Sequence, residues 1–241
     1  MNNIQATLRT KLIELSDESY FKFSTKLNPQ IKLIGVRMPK LRTLAKKYEK
    51  DPQTANLLIT PYAQDDAPYL EELMIQAILI AKLKLNNRFE IIEAFIPNLK
   101  GWALCDLLCA ELNEAHTLKD EYWNFVYPKF LRNDNQSKRF AAVMTLHYFT
   151  KRQYLDKILD TIKNQEFKDY YVSMGIAWML SVLFIEHPKR VYNFLKSGDL
   201  YLPTQKQTLQ KILDSYKVEN EQKTLIRALR NEIKQGSKNN S

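Results

Sequence analysis

Helical periodicity runs through nearly the whole sequence, and it constrains the fold more than any other feature. Apolar residues recur at positions i, i+3, i+4 and i+7 in successive segments, whereas long alternating runs are absent. The pattern predicts about fourteen helices, over residues 2–15, 17–26, 38–49, 51–59, 67–84, 87–95, 101–113, 119–132, 135–149, 151–163, 169–186, 188–196, 204–216 and 219–234. With only 5 Gly and 9 Pro, the chain also has few of the turn residues that a many-stranded fold needs. The predicted fold class is all-α.

Two of the predicted helices, around Ile75–Leu85 and Met174–Ile185, are apolar on most of their circumference. Such helices must be covered on several sides. An α-solenoid provides this cover, because each helix packs against its partner and against the next pair. The sequence also predicts N-caps at residues 16–18 (Ser-Asp-Glu) and at Thr204.

The formal net charge of +9 indicates what the protein binds rather than how it folds. Nucleic acid is the leading candidate and an anionic membrane surface the second, although a protein that is simply basic also fits. The apolar stretch Val172–Ile185 is too short and too interrupted to span a bilayer, and no signal-like run opens the chain. Two cysteines, Cys105 and Cys109, are typical of a reducing cytosol. We therefore expect a soluble, cytoplasmic protein.

Four segments carry candidate chemistry. In the first, WALCD at residues 102–106, Trp102 and Asp106 share a helical face, where an indole attracts a cation and a carboxylate stabilises developing positive charge. Taken alone, the pair fits a core tryptophan with a capping or ion-paired aspartate better, because Trp is usually buried. The other three segments are an apolar helix with Trp178 and the small residues Gly175 and Ala177, and the basic starts SKRFAAV (137–143) and GVRMPKLRTLAKK (35–47). The small residues of the apolar helix let a neighbouring helix or a ligand approach closely, but taken alone this helix fits core packing better. The basic starts could face phosphates, and solvated charged faces explain them as simply.

Other kinds of site are poorly supported by the sequence. It lacks the Gly-rich nucleotide-binding loops, the zinc-protease pattern and the serine-hydrolase elbow. Cys105 and Cys109 could share a face, but two further metal ligands are not evident. We expect neither a metal nor an organic cofactor.

Four motifs in this order resemble the DNA alkylation repair family of HEAT-like-repeat DNA glycosylases, over roughly residues 5 to 230. They are IGVRMPKLR (34–42), WALCD (102–106), RFAAV (139–143) and YYVSMGIAWMLS (170–181). The resemblance implies a curved stack of antiparallel HEAT-like helix pairs, forming one DNA-binding domain over residues 1–234. The polar residues 235–241 are expected to be a disordered tail.

The resemblance also implies an activity and roles for particular residues. The family excises cationic N3- and N7-alkylated purines from duplex DNA in base excision repair, in some members without base flipping. Trp102 and Trp178 would pack against the deoxyribose and backbone of the lesion, and Asp106 would stabilise the oxocarbenium-like sugar and position water. Arg139 would contact a phosphate. Further DNA contacts are expected from Lys138, Arg37, Arg42 and Ser181. The protein would act as a monomer.

Two positions depart from the family pattern. Ser181 stands where the family carries a basic residue one turn beyond the second tryptophan, and Gly101 stands where it carries an aromatic residue. The family also includes proteins that bind damaged or branched DNA with little or no excision. Non-catalytic DNA binding is therefore the alternative to a glycosylase. A protein-binding solenoid is a third hypothesis, which an even scatter of Lys and Arg would favour.

Overall fold

The computed structural model of the chain describes residues 2–27, 31–62, 66–84 and 86–239. Fourteen α-helices lie in these ranges: α1 Asn3–Glu14, α2 Glu18–Leu27, α3 Met38–Glu49, α4 Pro52–Leu58, α5 Leu70–Lys82, α6 Arg88–Phe95, α7 Trp102–Glu111, α8 Lys119–Val126, α9 Asn135–Tyr148, α10 Arg152–Ile162, α11 Tyr170–Glu186, α12 Pro188–Ser197, α13 Leu202–Asp214 and α14 Asn220–Asn239. Each corresponds to a predicted helix, and the described residues contain no strand. The predicted all-α class is confirmed.

Prolines account for one difference between the predicted and observed helices. The sequence predicts one helix over 119–132, but α8 ends at Val126 and a 3₁₀ helix, Tyr127–Leu131, follows. Pro128 causes the change, because it has no backbone N–H and its ring crowds the preceding turn. Ile96–Asn98, which contains Pro97, is likewise a 3₁₀ helix.

Of the two predicted N-caps, the structure confirms one. Asp17 caps α2 as predicted, since its carboxylate accepts a hydrogen bond from the Tyr20 N–H at 2.9 Å. The predicted cap at Thr204 is wrong: α13 begins at Leu202, and the buried Thr204 hydroxyl lies 2.7 Å from the Ser173 hydroxyl. The predicted tail is helical as far as Asn239, and residues 240–241 lie outside the described residues.

The chain forms two compact units, Met1–Glu114 and Ala115–Ser241, where the sequence predicts one domain over 1–234. In the first unit, α3 packs on α5 and α5 packs on α7, while α4 and α6 pack on the helices that precede them. In the second unit, α9, α11 and α13 pack side by side, and α12 and α14 cover α11 and α13. Each unit is therefore built from stacked helix pairs, as in an α-solenoid.

The two apolar helices, α5 and α11, are each covered by several neighbouring helices, as the sequence predicts. In its own unit α5 contacts α3, α7, α6 and α1, and α11 contacts α9, α13 and α12. These contacts bury all the apolar residues of α5 except Leu73, but only part of those of α11, where Met174, Trp178, Val182 and Ile185 stay partly exposed. No helix in the described ranges is long and apolar enough to cross a membrane.

Candidate functional site

In the first unit, α7 places an aromatic side chain and a carboxylate on one accessible face. Gly101 is extended, with φ −155° and ψ 161°, and Trp102 is the first residue of the helix. The Trp102 side chain is 40% exposed, and Asp106, one turn later, is partly exposed. Leu104 and Cys105 are buried on the opposite side and hold α7 against the core. Trp102 is therefore not a core tryptophan, and its indole is accessible to a ligand beside a carboxylate.

The other end of α7 is held by a buried carboxylate. Glu111, its last residue, forms ion pairs with Arg42 of α3 and with Lys82 of α5, the latter at 3.1 Å between Nζ and Oε2. Glu111 thus links three neighbouring helices of this unit. Arg42, a predicted DNA-contacting residue, is half-exposed, but much of its charge is compensated by this carboxylate.

The segment before α3 is fixed by a second buried carboxylate. Glu71 accepts hydrogen bonds from the backbone N–H groups of Ile34, Gly35 and Val36, at 2.8, 2.7 and 3.2 Å. Gly35 has φ +93°, and a Cβ atom there would lie 2.6 Å from the Cβ of Phe21. Only glycine fits this conformation and this close approach to α2. The glycine of the IGVRMPKLR motif therefore has a structural role.

Arg37 follows this segment and is exposed along about half of its side chain. Its Nε donates to Asp17 at 2.8 Å, and its guanidinium lies over the Tyr20 ring, 5.0 Å from the centroid. The hydrogen bond from Arg37 holds the pKa of the Asp17 carboxyl well below its usual range. Like Arg42, this predicted phosphate contact is accessible but already paired with a carboxylate.

In the second unit, Arg139 is fully buried rather than exposed. Its Nη1 donates to the backbone carbonyl of Tyr171 at 3.2 Å, and its guanidinium lies 4.9 Å from the centre of the Tyr171 ring. A Cβ atom on Gly175 would lie 2.7 Å from the Cδ of Arg139. Arg139 thus occupies the α9–α11 packing, and a phosphate contact requires the side chains that cover it to move.

Trp178 and Ser181 lie one turn apart on α11. Trp178 is partly exposed, and its ring lies 6.4 Å from that of His147, in an edge-on arrangement. Ser181 is 6% exposed and donates a hydrogen bond to the Trp178 carbonyl at 2.7 Å. The predicted contact between Ser181 and DNA therefore also depends on a rearrangement. Lys138 is partly exposed, and its ammonium lies 5.7 Å from the centre of the Phe167 ring.

Sequence reasoning missed Glu71 and Glu111, which position the segment before α3 and the helix α7. One available signal was that Glu111 ends an apolar helix, where a carboxylate opposes the helix dipole and needs a cation nearby. No local signal identifies Glu71, because its backbone partners lie 35 to 37 residues earlier. Neither residue could be paired with its partners from the sequence alone.

The fold and the site together define the class: an all-α protein of stacked helix pairs that carries an accessible tryptophan beside a carboxylate. The sequence matches the family described as DNA alkylation repair enzyme over residues 8–230, which spans most of both units. The chain therefore belongs to the DNA alkylation repair enzyme family. A search of curated proteins found no match to it.

Proposed function

We propose that the protein is a DNA glycosylase, which hydrolyses the N-glycosidic bond of cationic N3- or N7-alkylated purines in duplex DNA without flipping the base. The observation that carries the proposal is the exposed Trp102 one turn before the partly exposed Asp106, in a member of the DNA alkylation repair enzyme family. If Trp102 were buried, Trp102 and Asp106 would only contribute to the packing of α7 and could not contact a ligand.

The chemistry suits this pair of side chains. An alkylated purine is already cationic, so it takes the bonding electrons and leaves as a neutral base when the bond to C1′ breaks. The sugar then acquires oxocarbenium character, which the Asp106 carboxylate stabilises. Water adds to C1′ and releases its proton to Asp106 or to solvent. Because the leaving group carries its own positive charge, the reaction needs no general acid, metal or cofactor.

The remaining assignments are supported to different degrees. The accessible faces of Trp102 and Trp178 suit contact with the deoxyribose and with a cationic base. Exposure supports Arg37 and Arg42 as phosphate contacts, although each also pairs with a carboxylate. Action on DNA as a cytoplasmic monomer in base excision repair belongs to the same proposal.

Substitution of Asp106 tests the proposal. Folded protein is incubated with methylated duplex DNA, and the released 7-methylguanine and 3-methyladenine are quantified. Asp106→Asn should lower the release rate by about 10²-fold or more, because it removes the charge that stabilises the sugar, with little change in DNA affinity. The matched control is Asp160→Asn, the same substitution at an exposed residue of α10, and it should retain the activity. No release by the folded wild-type protein would refute the glycosylase.

The second candidate function is non-catalytic binding of damaged or branched DNA. Ser181 and Gly101 favour it, because neither supplies the basic or aromatic side chain that the family pattern has there. Its signature is binding without base release, with an affinity that falls linearly as salt rises on a log–log plot. Binding that does not depend on salt would count against both functions.

A further inference from the structure

A basic cavity lies in the second unit, where α12 begins. It has a volume of about 370 Å³ and is lined by Arg152, His187, Pro188, Lys189, Arg190 and Asn193. Three of these residues are permanent cations, and none is acidic. The cavity is open to solvent and its floor is mainly apolar, formed by side-chain stems, but the cationic ends around it suit an anion better than a cation.

Several contacts join the starts of α10 and α12 around this cavity. The Glu186 carboxylate accepts hydrogen bonds from the Thr150 hydroxyl at 2.6 Å and from the Lys151 ammonium at 3.2 Å. The Nε2 atom of His187 lies 2.7 Å from the carbonyl oxygen of Thr150.

Asp156 pairs with both arginines, at 2.8 Å from Arg190 Nε and 3.0 Å from Arg152 Nη2. One carboxylate thus orders two guanidinium groups, and each guanidinium keeps further N–H donors for a ligand.

Lys189 is the least constrained cation of the cavity. It is exposed, and it forms no ion pair with any residue that the structure describes. The residues that precede α10 and α12, Lys151 and His187, make no side-chain capping hydrogen bonds. The positive ends of both helix dipoles therefore reinforce the side-chain cations.

We propose that this cavity binds a backbone phosphate of DNA, an inference that rests on the proposed DNA binding. A phosphate is a compact anion with several acceptor oxygens, which suits guanidinium and ammonium donors around one small cavity. His187 lies nine residues after Trp178, about 14 Å along the helix axis at 1.5 Å per residue, and these nine residues make about two and a half turns, which puts the two positions on opposite sides of α11. The cavity is therefore a phosphate contact separate from the contact at Trp178.

The salt dependence of DNA binding tests the assignment. The affinity of the full chain for a duplex is measured by fluorescence anisotropy over a range of salt concentrations. Lys189→Gln should weaken binding several-fold at low salt and reduce the log–log slope by about 0.9, the value of one lost phosphate contact. Lys196→Gln is the matched control, because it removes the same charge from an exposed residue near the other end of α12. It should leave the slope of the wild-type protein unchanged.

The outcomes separate this inference from the proposed function. Equal slopes for wild type and Lys189→Gln would overturn the phosphate site and leave DNA binding standing. A wild-type protein that binds no DNA at any salt would overturn both. Titration with inorganic phosphate, followed by the amide resonances of His187, Lys189 and Arg190, identifies the source of the anion. If phosphate shifts these resonances while Lys189→Gln leaves the salt slope of DNA binding unchanged, the cavity binds free phosphate, and the DNA assignment is overturned.

Discussion

At the scale of single residues, Arg139 and Gly175 depend on each other. Arg139 is buried, and its guanidinium contacts a backbone carbonyl and an aromatic face, both from Tyr171. Its side chain passes across α11 at the one glycine of that helix, where any Cβ atom would collide with it. The glycine of the YYVSMGIAWMLS motif thus admits a basic side chain into the interior.

Gly175→Ala should destabilise the protein by about 1–3 kcal/mol, the usual cost of overpacking a core, because the new Cβ atom would collide with the fully buried Arg139 side chain. Chemical denaturation measures the loss. The cost should shrink in an Arg139→Ala background, since the colliding atoms are gone and the two sites are coupled. The same cost in both backgrounds would show that Arg139 is not the obstacle.

At the scale of helices, the carboxylate of Glu111 links α3, α5 and α7. The carboxylate is buried, whereas the two cations that meet it, Arg42 and Lys82, are partly exposed. The pairing offsets the cost of burying a charge at the unfavourable end of a helix dipole. It also fixes the end of α7 that lies opposite Trp102.

Glu111→Gln keeps the shape of the side chain and removes its charge. We expect a loss of about 1–3 kcal/mol in unfolding free energy rather than the larger cost of a fully buried pair, because both cations can turn to solvent. Urea denaturation gives the value. Glu90→Gln, on the exposed face of α6, is the matched substitution and should change stability by less than about 0.5 kcal/mol. Similar losses in the two variants would contradict a linking role for Glu111.

At the scale of the whole molecule, carboxylates with lowered pKa values occur in both units. The pKa of Asp17 is lowered mainly by Arg37, and that of Asp51 by the Thr54 hydroxyl. The pKa of Glu186 is lowered mainly by the Thr150 hydroxyl, and that of Asp199 by Lys163. Each group binds a proton less readily in the folded chain than in the unfolded chain.

Stability should therefore fall in acid. A lowered pKa stabilises the fold above the ordinary value, about 4 for these groups, and this contribution is lost as the pH falls towards the folded value. Urea denaturation between about pH 6 and pH 3 should give a flat unfolding free energy at first and a decline below about pH 4. Asp17→Asn should decline less steeply than wild type. An unfolding free energy that stays constant down to pH 3 would contradict this expectation.

The sequence by itself determined the helices, because the period of apolar residues and the capping and proline rules act over a few neighbouring positions. It therefore predicted all fourteen helices, the cap at Asp17, and the placement of Trp102 and Asp106 one turn apart on a helix. Family motifs added the proposed chemistry, since their order along the chain is also visible in sequence.

Only the tertiary structure decided which side chains are accessible. It left Trp102 exposed, buried Arg139 and Ser181, and joined Glu111 to Arg42, which lies 69 residues earlier. It also brought Arg152 and Lys189 to one cavity. The physical reason is that burial and ion pairing depend on contacts between helices that are distant in sequence, and periodicity within a helix does not specify those contacts.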